Sequence, residues 1–174
     1  MHHFAMVFGL FLVIIACISN SWIVVKADAP KLKSHLMGEV GLWNSCGVLD
    51  FNNQADIYGC KSTTDKSNYL ARNLSNSDIY VLRTMSIITI LVALTAVVLV
   101  FNPNYANNKI ITMLMMAAAL LSLVTLVYFH LRIGTTINIT SFGNSSKYGF
   151  AFYSQILGSL LLILATGLHF RNHK

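Results

Sequence analysis

Residues 41–46 read Gly41-Leu42-Trp43-Asn44-Ser45-Cys46, and a second cysteine, Cys60, follows in the same polar segment. Gly41 allows a close turn because it has no Cβ, and Leu42 and Trp43 add apolar surface to an otherwise polar stretch. The surrounding segment, residues 26–82, holds all six acidic residues and six of the 12 basic ones. It is therefore electrically balanced, which favours a folded, water-exposed segment over a nucleic-acid-binding surface.

The rest of the chain is too apolar for a water-soluble domain, since 55% of the 174 residues are hydrophobic and 10% are charged. A helix needs about 20 residues to cross a bilayer core of about 30 Å. Stretches of about this length that carry no Lys, Arg, Asp or Glu occur at residues 4–25, 84–101, 110–131 and 149–170. We predict a single domain, residues 1–174, with four spans joined by loops 26–82 and 132–148 and a tight turn at 102–109. A cleaved signal peptide or lipoprotein site is the alternative for the first stretch, but its start lacks Lys and Arg and three further spans follow.

Two signals disagree about orientation. Nine of the 12 Lys and Arg residues lie near loops 26–82 and 132–148, which by the positive-inside rule predicts cytoplasmic loops. That rule weakens for long folded loops, and three Asn-x-Ser/Thr glycosylation acceptors, at Asn73, Asn138 and Asn144, all lie in these two loops. We therefore predict extracellular loops, a cytoplasmic 102–109 turn and both termini in the cytoplasm. In the extracellular loop, Cys46 and Cys60 would face an oxidising compartment that lets them pair. In the opposite orientation they would be free thiols in the cytoplasm.

The order of the motif residues resembles a known signature. Trp22 at the end of the first stretch, then Gly-Leu-Trp-x-x-Cys, then Cys60, is similar to the pattern of the claudin and peripheral myelin protein/epithelial membrane protein superfamily. Asp78, five residues before Arg83, and the opening of the fourth stretch at residues 148–153 extend the resemblance over the whole chain. It implies a mainly α membrane protein, a left-handed bundle of four transmembrane helices under a small extracellular antiparallel β-sheet.

The resemblance also implies roles for the signature residues. Cys46 and Cys60 would form a disulfide, and closing a loop of about 15 residues is worth roughly 3 kcal/mol. Trp22, Gly41, Leu42 and Trp43 would tie the loop to the helices. Arg83 would act structurally, paired with a carbonyl or a carboxylate at the membrane boundary. Lys61, just after the second loop cysteine, would favour anions if the protein forms a pore.

Other candidate sites have simpler interpretations. His169 and His173 have the spacing of metal ligands on one helix face but no third ligand nearby, so we predict neither a metal nor a cofactor. Ala151, Ser154 and Gly158 place small residues on one helix face, which favours close packing inside the bundle over a partner surface. No catalytic template occurs in the sequence, and no carboxylate lies within any predicted span, so we expect no enzyme activity.

These observations lead to two functional hypotheses. The first is a component of cell-cell contacts in the plasma membrane that acts through its loop domain and the lateral packing of its helices. The second is an auxiliary subunit of an ion channel or receptor, as in the calcium-channel gamma subunits that share the resemblance. Both predict membrane lipids and other membrane proteins, either further copies or a channel, as partners, and neither involves nucleic acid.

Overall fold

The computed structural model describes residues 2–29, 34–51, 54–56, 59–65, 74–102, 108–140 and 146–172. Four long helices lie side by side: α1 (His2–Ile18), α2 (Asn76–Phe101), α3 (Asn108–Phe129) and α5 (Phe150–Asn172). A π-helical turn (His130–Gly134) and the short helix α4 (Thr135–Thr140) continue α3. Helix α1 packs mainly on α5, α5 on α3, and α3 on α2, while a thinner contact between α1 and α2 closes the ring.

Three of the helical segments are long and apolar enough to cross a membrane: Asn76–Phe101, Lys109–Ile137 and Phe150–Arg171. They contain the predicted spans 84–101 and 110–131 and nearly all of 149–170. Two of them extend further than predicted, because hydropathy detects only the apolar part of a helix. A mainly helical protein with long apolar helices and a small sheet is compatible with a membrane protein, as the sequence indicated.

Helix α1 differs from the predicted span of residues 4–25. The helix ends at Ile18, and residues from Ile23 onward form a strand. Hydropathy continues through Ile23 and Val25, and these side chains are buried in the protein itself. The apolar run therefore serves two elements, a helix and the strand that follows it.

The strands form one antiparallel sheet above the helix ends. They are β1 (Ile23–Ala29), β2 (Ser34–Val40), β3 (Asn44–Phe51), β4 (Gln54–Asp56), β5 (Cys60–Ser62) and β6 (Ser146–Tyr148). The order is β4-β3-β2-β1-β6, with β5 paired to β3. Strand β6 precedes α5 and pairs with β1 from Ile23 to Val25, so the second loop joins the sheet built by the first.

The residues that fill the core of the helix bundle differ between the end near the sheet and the far end. Beneath the sheet, an apolar cluster surrounds Trp22 and includes Phe129 and Leu82. The buried Ser and Thr side chains of the helices, together with Gln155, lie in the half that is nearer the sheet: Ser86, Thr89, Ser122, Thr125, Ser154, Gln155 and Ser159. The distant half is packed by residues such as Met6, Ile111 and Ala165. These hydroxyl and amide side chains therefore form an upper layer of the core, while the buried His169 lies in the distant half.

Candidate functional site

The disulfide predicted between Cys46 and Cys60 is present. The two cysteines are directly opposite each other in the pairing of β3 with β5, and their Cα atoms are 4.1 Å apart. The bond fastens the short strand β5 to strand β3. Asn20, in the turn after α1, directs its side-chain amide towards Cys46 Sγ at 3.7 Å.

Both signature tryptophans bind the end of helix α1. The last carbonyls of a helix have no intrahelical partner. The indole N–H of Trp22 donates to the carbonyl of Ala16 at 2.7 Å, and that of Trp43 donates to the carbonyl of Cys17 at 2.9 Å. Two side chains from the sheet region therefore cap α1, which explains why the helix can end at Ile18 inside an apolar sequence.

Arg83 holds the Gly-Leu-Trp turn from the side of helix α2. Its Nε donates to the carbonyl of Leu42 at 2.8 Å and its Nη2 donates to the carbonyl of Trp43 at 3.3 Å. The guanidinium carbon lies 4.8 Å from the centroid of the Trp43 ring and 5.6 Å from that of Tyr80. The cation is thus stabilised by carbonyl dipoles and aromatic faces.

Gly41 is required by a close backbone approach. A Cβ on this residue would lie 2.5 Å from Asn20 Cα and 2.9 Å from the carbonyl oxygen of Ser19, so any larger residue would push the turn off α1. The carbonyl of Gly41 accepts a hydrogen bond from Thr63 Oγ1 at 2.9 Å. Thr63 also donates its backbone N–H to Trp43. Sequence reasoning missed this buried threonine, because no motif distinguishes it.

A second set of contacts joins the turn after α1 to the start of α5. The N–H groups of Gly149 and Ala151 donate to the carbonyls of Trp22 and Ser21, both at 2.9 Å. A Cβ on Gly149 would overlap the Ser21 carbonyl. The first helix and the last are therefore connected through four residues, Ser21, Trp22, Gly149 and Ala151.

Aromatic side chains fill the space beneath these backbone contacts. The ring centroid of Trp22, which is fully buried, lies 4.6 Å from that of Phe129. Tyr148 stacks on Phe152 at 4.1 Å, and its hydroxyl bonds to His130 Nδ1 on the π-helical turn. Burial raises the pKa of the Tyr148 phenol, and the neighbouring Tyr153 adds to this effect. Tyr148 thus links β6, to which it belongs, with the π-helical turn and α5.

The remaining predicted residues are placed apart from this junction. Lys61 lies on β5 opposite Ser45, with an exposed side chain next to the disulfide. Asn138 lies in helix α4, and its side chain is outside the described part of the structure. Asn73 and Asn144 fall outside the described residues altogether, as does His173, so the predicted glycans and the His169–His173 pair are not described. Among the described residues, no group of three His, Cys, Asp or Glu side chains could hold a metal ion.

Inside the bundle, α3 and α5 share a small hydrogen-bonded group. Gln155 Nε2 donates to Ser122 Oγ at 2.7 Å, and the hydroxyls of Ser122 and Ser159 are 2.6 Å apart. Ser159 in turn donates to the carbonyl of Gln155. The predicted small-residue face is buried nearby, where Gly158 meets Gly9 of α1. These polar contacts fasten one helix to another within a single chain.

Neither a protein-family model nor a characterised protein sequence matches the chain.

Proposed function

We propose that the chain is a claudin-like plasma-membrane protein that crosses the bilayer four times and takes part in cell-cell contacts. In this arrangement α1, α2, α3 and α5 are the spans, the sheet lies outside the cell and both termini are cytoplasmic. The proposal is supported chiefly by one observation: Trp22, Trp43 and Arg83 fasten the sheet to the helix ends through the hydrogen bonds described above. A platform fixed in this way presents a defined surface to a neighbour, as recognition requires.

The surface offered for recognition is the outward face of the sheet. Residues two apart on a strand share a face, and Lys26 is paired with Met37 while Val24 is paired with Glu39 and Lys147. Lys26, Met37, Glu39 and Lys147 are all exposed. Met37, with 52% of its side chain exposed, is an apolar contact point flanked by charges of both signs. Such a mixed surface is typical of specific protein contacts.

The membrane arrangement can be tested by labelling cysteines in intact cells. Lys61→Cys places a thiol on the exposed strand β5, and Lys109→Cys places one at the opposite end of the helices. A membrane-impermeant maleimide should label the first variant in intact cells and the second only after permeabilisation. The reverse pattern would exclude an extracellular sheet.

The contact role can be tested in confluent epithelial cells that express the tagged protein. We expect enrichment at cell borders and a changed transepithelial resistance. Met37→Glu should reduce the enrichment while the amount at the cell surface stays constant, and Lys109→Gln, which changes the net charge by the same amount at the opposite end of the helices, should leave it unaltered. A diffuse wild-type distribution with unchanged resistance would exclude the contact role. Copurification of a stoichiometric channel or receptor would instead support an auxiliary subunit.

A further inference from the structure

The Cys46–Cys60 disulfide lies on the face of the sheet that is turned away from the helices. Directly paired residues of neighbouring strands share a face, and successive residues alternate between faces. Val40 and Ser45 are paired and buried, so the adjacent pair, Glu39 and Cys46, lies on the opposite, outward face. Cys60 is paired with Cys46 and shares that face. The bond is therefore reachable from the solvent without opening the helix bundle.

The two ends of the bond have different surroundings. Cys60 is exposed, as are the other residues of β5, whereas Cys46 is half-buried. Asn20, whose amide is directed at Cys46 Sγ, is held in place by close packing, because its Cα lies only 2.5 Å from the position of a Cβ on Gly41. A thiolate accepts an amide N–H more strongly than a disulfide sulfur does, because the hydrogen bond is then charge-assisted. Asn20 therefore favours negative charge on Cys46.

The carboxylate of Glu39 acts against this preference, but more weakly. Glu39 is the cross-strand neighbour of Cys46, and its side chain is exposed, so water and salt screen its field. The amide of Asn20 is in direct contact with the sulfur. The same carboxylate repels a thiolate that approaches Cys46, which leaves Cys60 Sγ as the sulfur that is open to attack.

The junction between the sheet and the helices does not depend on the disulfide. Trp22 and Trp43 hold the end of α1, and Arg83 holds the Gly-Leu-Trp turn, through hydrogen bonds that involve no sulfur atom. Breaking the disulfide therefore frees β5 from its covalent link to β3 and leaves these anchoring contacts in place.

We propose that the disulfide is a thiol-exchange site that reacts through Cys60. The thiolate of a small monothiol attacks Cys60 Sγ and forms a mixed disulfide, the S–S bond to Cys46 breaks, and its electron pair leaves on Cys46 Sγ beside the Asn20 amide. A second thiolate then attacks the small molecule's sulfur in the mixed disulfide and releases Cys60 as a thiolate. Two thiols are thereby oxidised to one small disulfide while the protein bond is reduced, and the two protein thiolates take up the protons that the thiols gave up. The bond that fastens β5 is thus also a site of covalent modification, the S-thiolation of Cys60.

The position of the first adduct tests this order of events. The full-length protein in detergent is treated briefly with excess 2-mercaptoethanol, a neutral monothiol, and is then quenched with acid. Free thiols are labelled with N-ethylmaleimide at slightly acidic pH, and mass spectrometry of the peptides locates both groups. Cys17, the buried free cysteine, reports on folding because it stays unlabelled while the helices are packed. Asn20→Ala removes the donor, and Asn44→Ala makes the same change at an exposed position two residues from Cys46.

In the wild-type protein we expect the mercaptoethanol adduct several-fold more often on Cys60 than on Cys46, with the maleimide on Cys46. Asn20→Ala should slow the exchange several-fold, whereas Asn44→Ala should react at the wild-type rate. Equal adducts, an adduct mainly on Cys46, no exchange before Cys17 becomes labelled, or an unchanged or higher rate in folded Asn20→Ala would overturn the inference. If Asn20→Ala unfolds and exposes Cys17, the ratio of adducts in the wild-type protein decides alone.

Discussion

Arg83 shows how one side chain can hold a loop on a helix bundle through backbone carbonyls and aromatic rings. Its planar guanidinium reaches two successive carbonyls while it lies against the rings of Trp43 and Tyr80. A lysine has a single charged atom at the end of a flexible stem, so it cannot reproduce the two bonds and the stacked contact together. The site therefore requires the planar guanidinium group and not only its positive charge.

We expect Arg83→Lys to lower the free energy of unfolding by about 1–3 kcal/mol, because hydrogen bonds to a charged donor are each worth about that much. Thermal unfolding of purified protein in detergent, followed by tryptophan fluorescence, measures the change. Arg171→Lys, at the exposed far end of α5, is the matched control and should behave as wild type. Equal stability of the two variants would contradict the role given to Arg83.

Ser86 is the opposite case, a buried hydroxyl on α2 with no hydrogen-bond partner among the described residues. Burying an unpaired hydroxyl is unfavourable by about 1–3 kcal/mol on the scale of protein mutations. We expect Ser86→Ala to leave stability unchanged or raise it by about 1 kcal/mol. Ser159→Ala should lower stability, because Ser159 bonds to both Ser122 and Gln155. Denaturation of both variants in the same detergent compares them, and a loss of stability in Ser86→Ala would show that a partner exists.

At the residue scale, the sequence identified the signature residues, the disulfide and the kind of partner that Arg83 binds, but not which backbone carbonyls the signature residues contact. Cys46 and Cys60 could be paired because a disulfide joins two side chains that are visible in the sequence. Trp22, Trp43 and Arg83 bind backbone carbonyls, which every residue possesses, so no pattern of residue types reveals them. For the same reason the sequence did not reveal the role of Thr63, which donates a hydrogen bond to the carbonyl of Gly41.

The contact between α1 and α5 depends on two glycines that let the helices approach. A Cβ on Gly158 would lie 2.9 Å from Val13 Cγ2 and 3.0 Å from the carbonyl oxygen of Gly9. Backbone atoms cannot rotate away as a flexible side chain can. No described atom lies within 4 Å of a Cβ on Gly167, about two and a half turns further along the same helix.

Replacement by alanine should therefore change the stability of the protein in opposite directions at Gly158 and Gly167. Gly158→Ala should destabilise the protein by about 1–3 kcal/mol through overpacking. Gly167→Ala should stabilise it by up to about 1 kcal/mol, because alanine loses less backbone entropy in a helix. Thermal unfolding of the two variants provides the measurement. Equal effects would show that α1 and α5 are not closely packed at Gly158.

At the element scale, hydropathy located the long helices but misplaced their ends. It extended α1 to residue 25 because the start of β1 is as apolar as a helix. It also ended the third span at residue 131, whereas the π-helical turn and α4 continue to Thr140, where Ile133 and Ile137 are buried against the protein. Strand β6 has three residues and pairs with a strand more than a hundred residues away, a contact that no local pattern encodes.

For the whole molecule, the sheet and the helices depend on different interactions. The helices pack through their own apolar and small residues, while β5 is held to β3 by a three-residue pairing and the disulfide. Removing the cross-link should therefore loosen the sheet before it affects the bundle.

We expect the double variant Cys46→Ser/Cys60→Ser to lose about 3 kcal/mol of stability in the sheet, the value for a closed loop of this size. Its helical circular dichroism should be retained while residues 59–65, which contain β5, become sensitive to protease. Cys17→Ala, which removes the buried free thiol, is the control and should remain resistant. Simultaneous loss of helix and sheet would show that the two parts unfold as one unit.

The bonds from Gly149 and Ala151 to Ser21 and Trp22 also have a consequence for biosynthesis. The residues that secure the first turn follow it by more than a hundred positions in the chain, so this turn cannot finish folding until α5 has been synthesised. Until α5 is in place, the carbonyls of Ser21 and Trp22 lack these N–H donors and the aromatic pocket around Trp22 lacks Phe152. A nascent chain without α5 would thus display an incomplete junction that molecular chaperones can recognise.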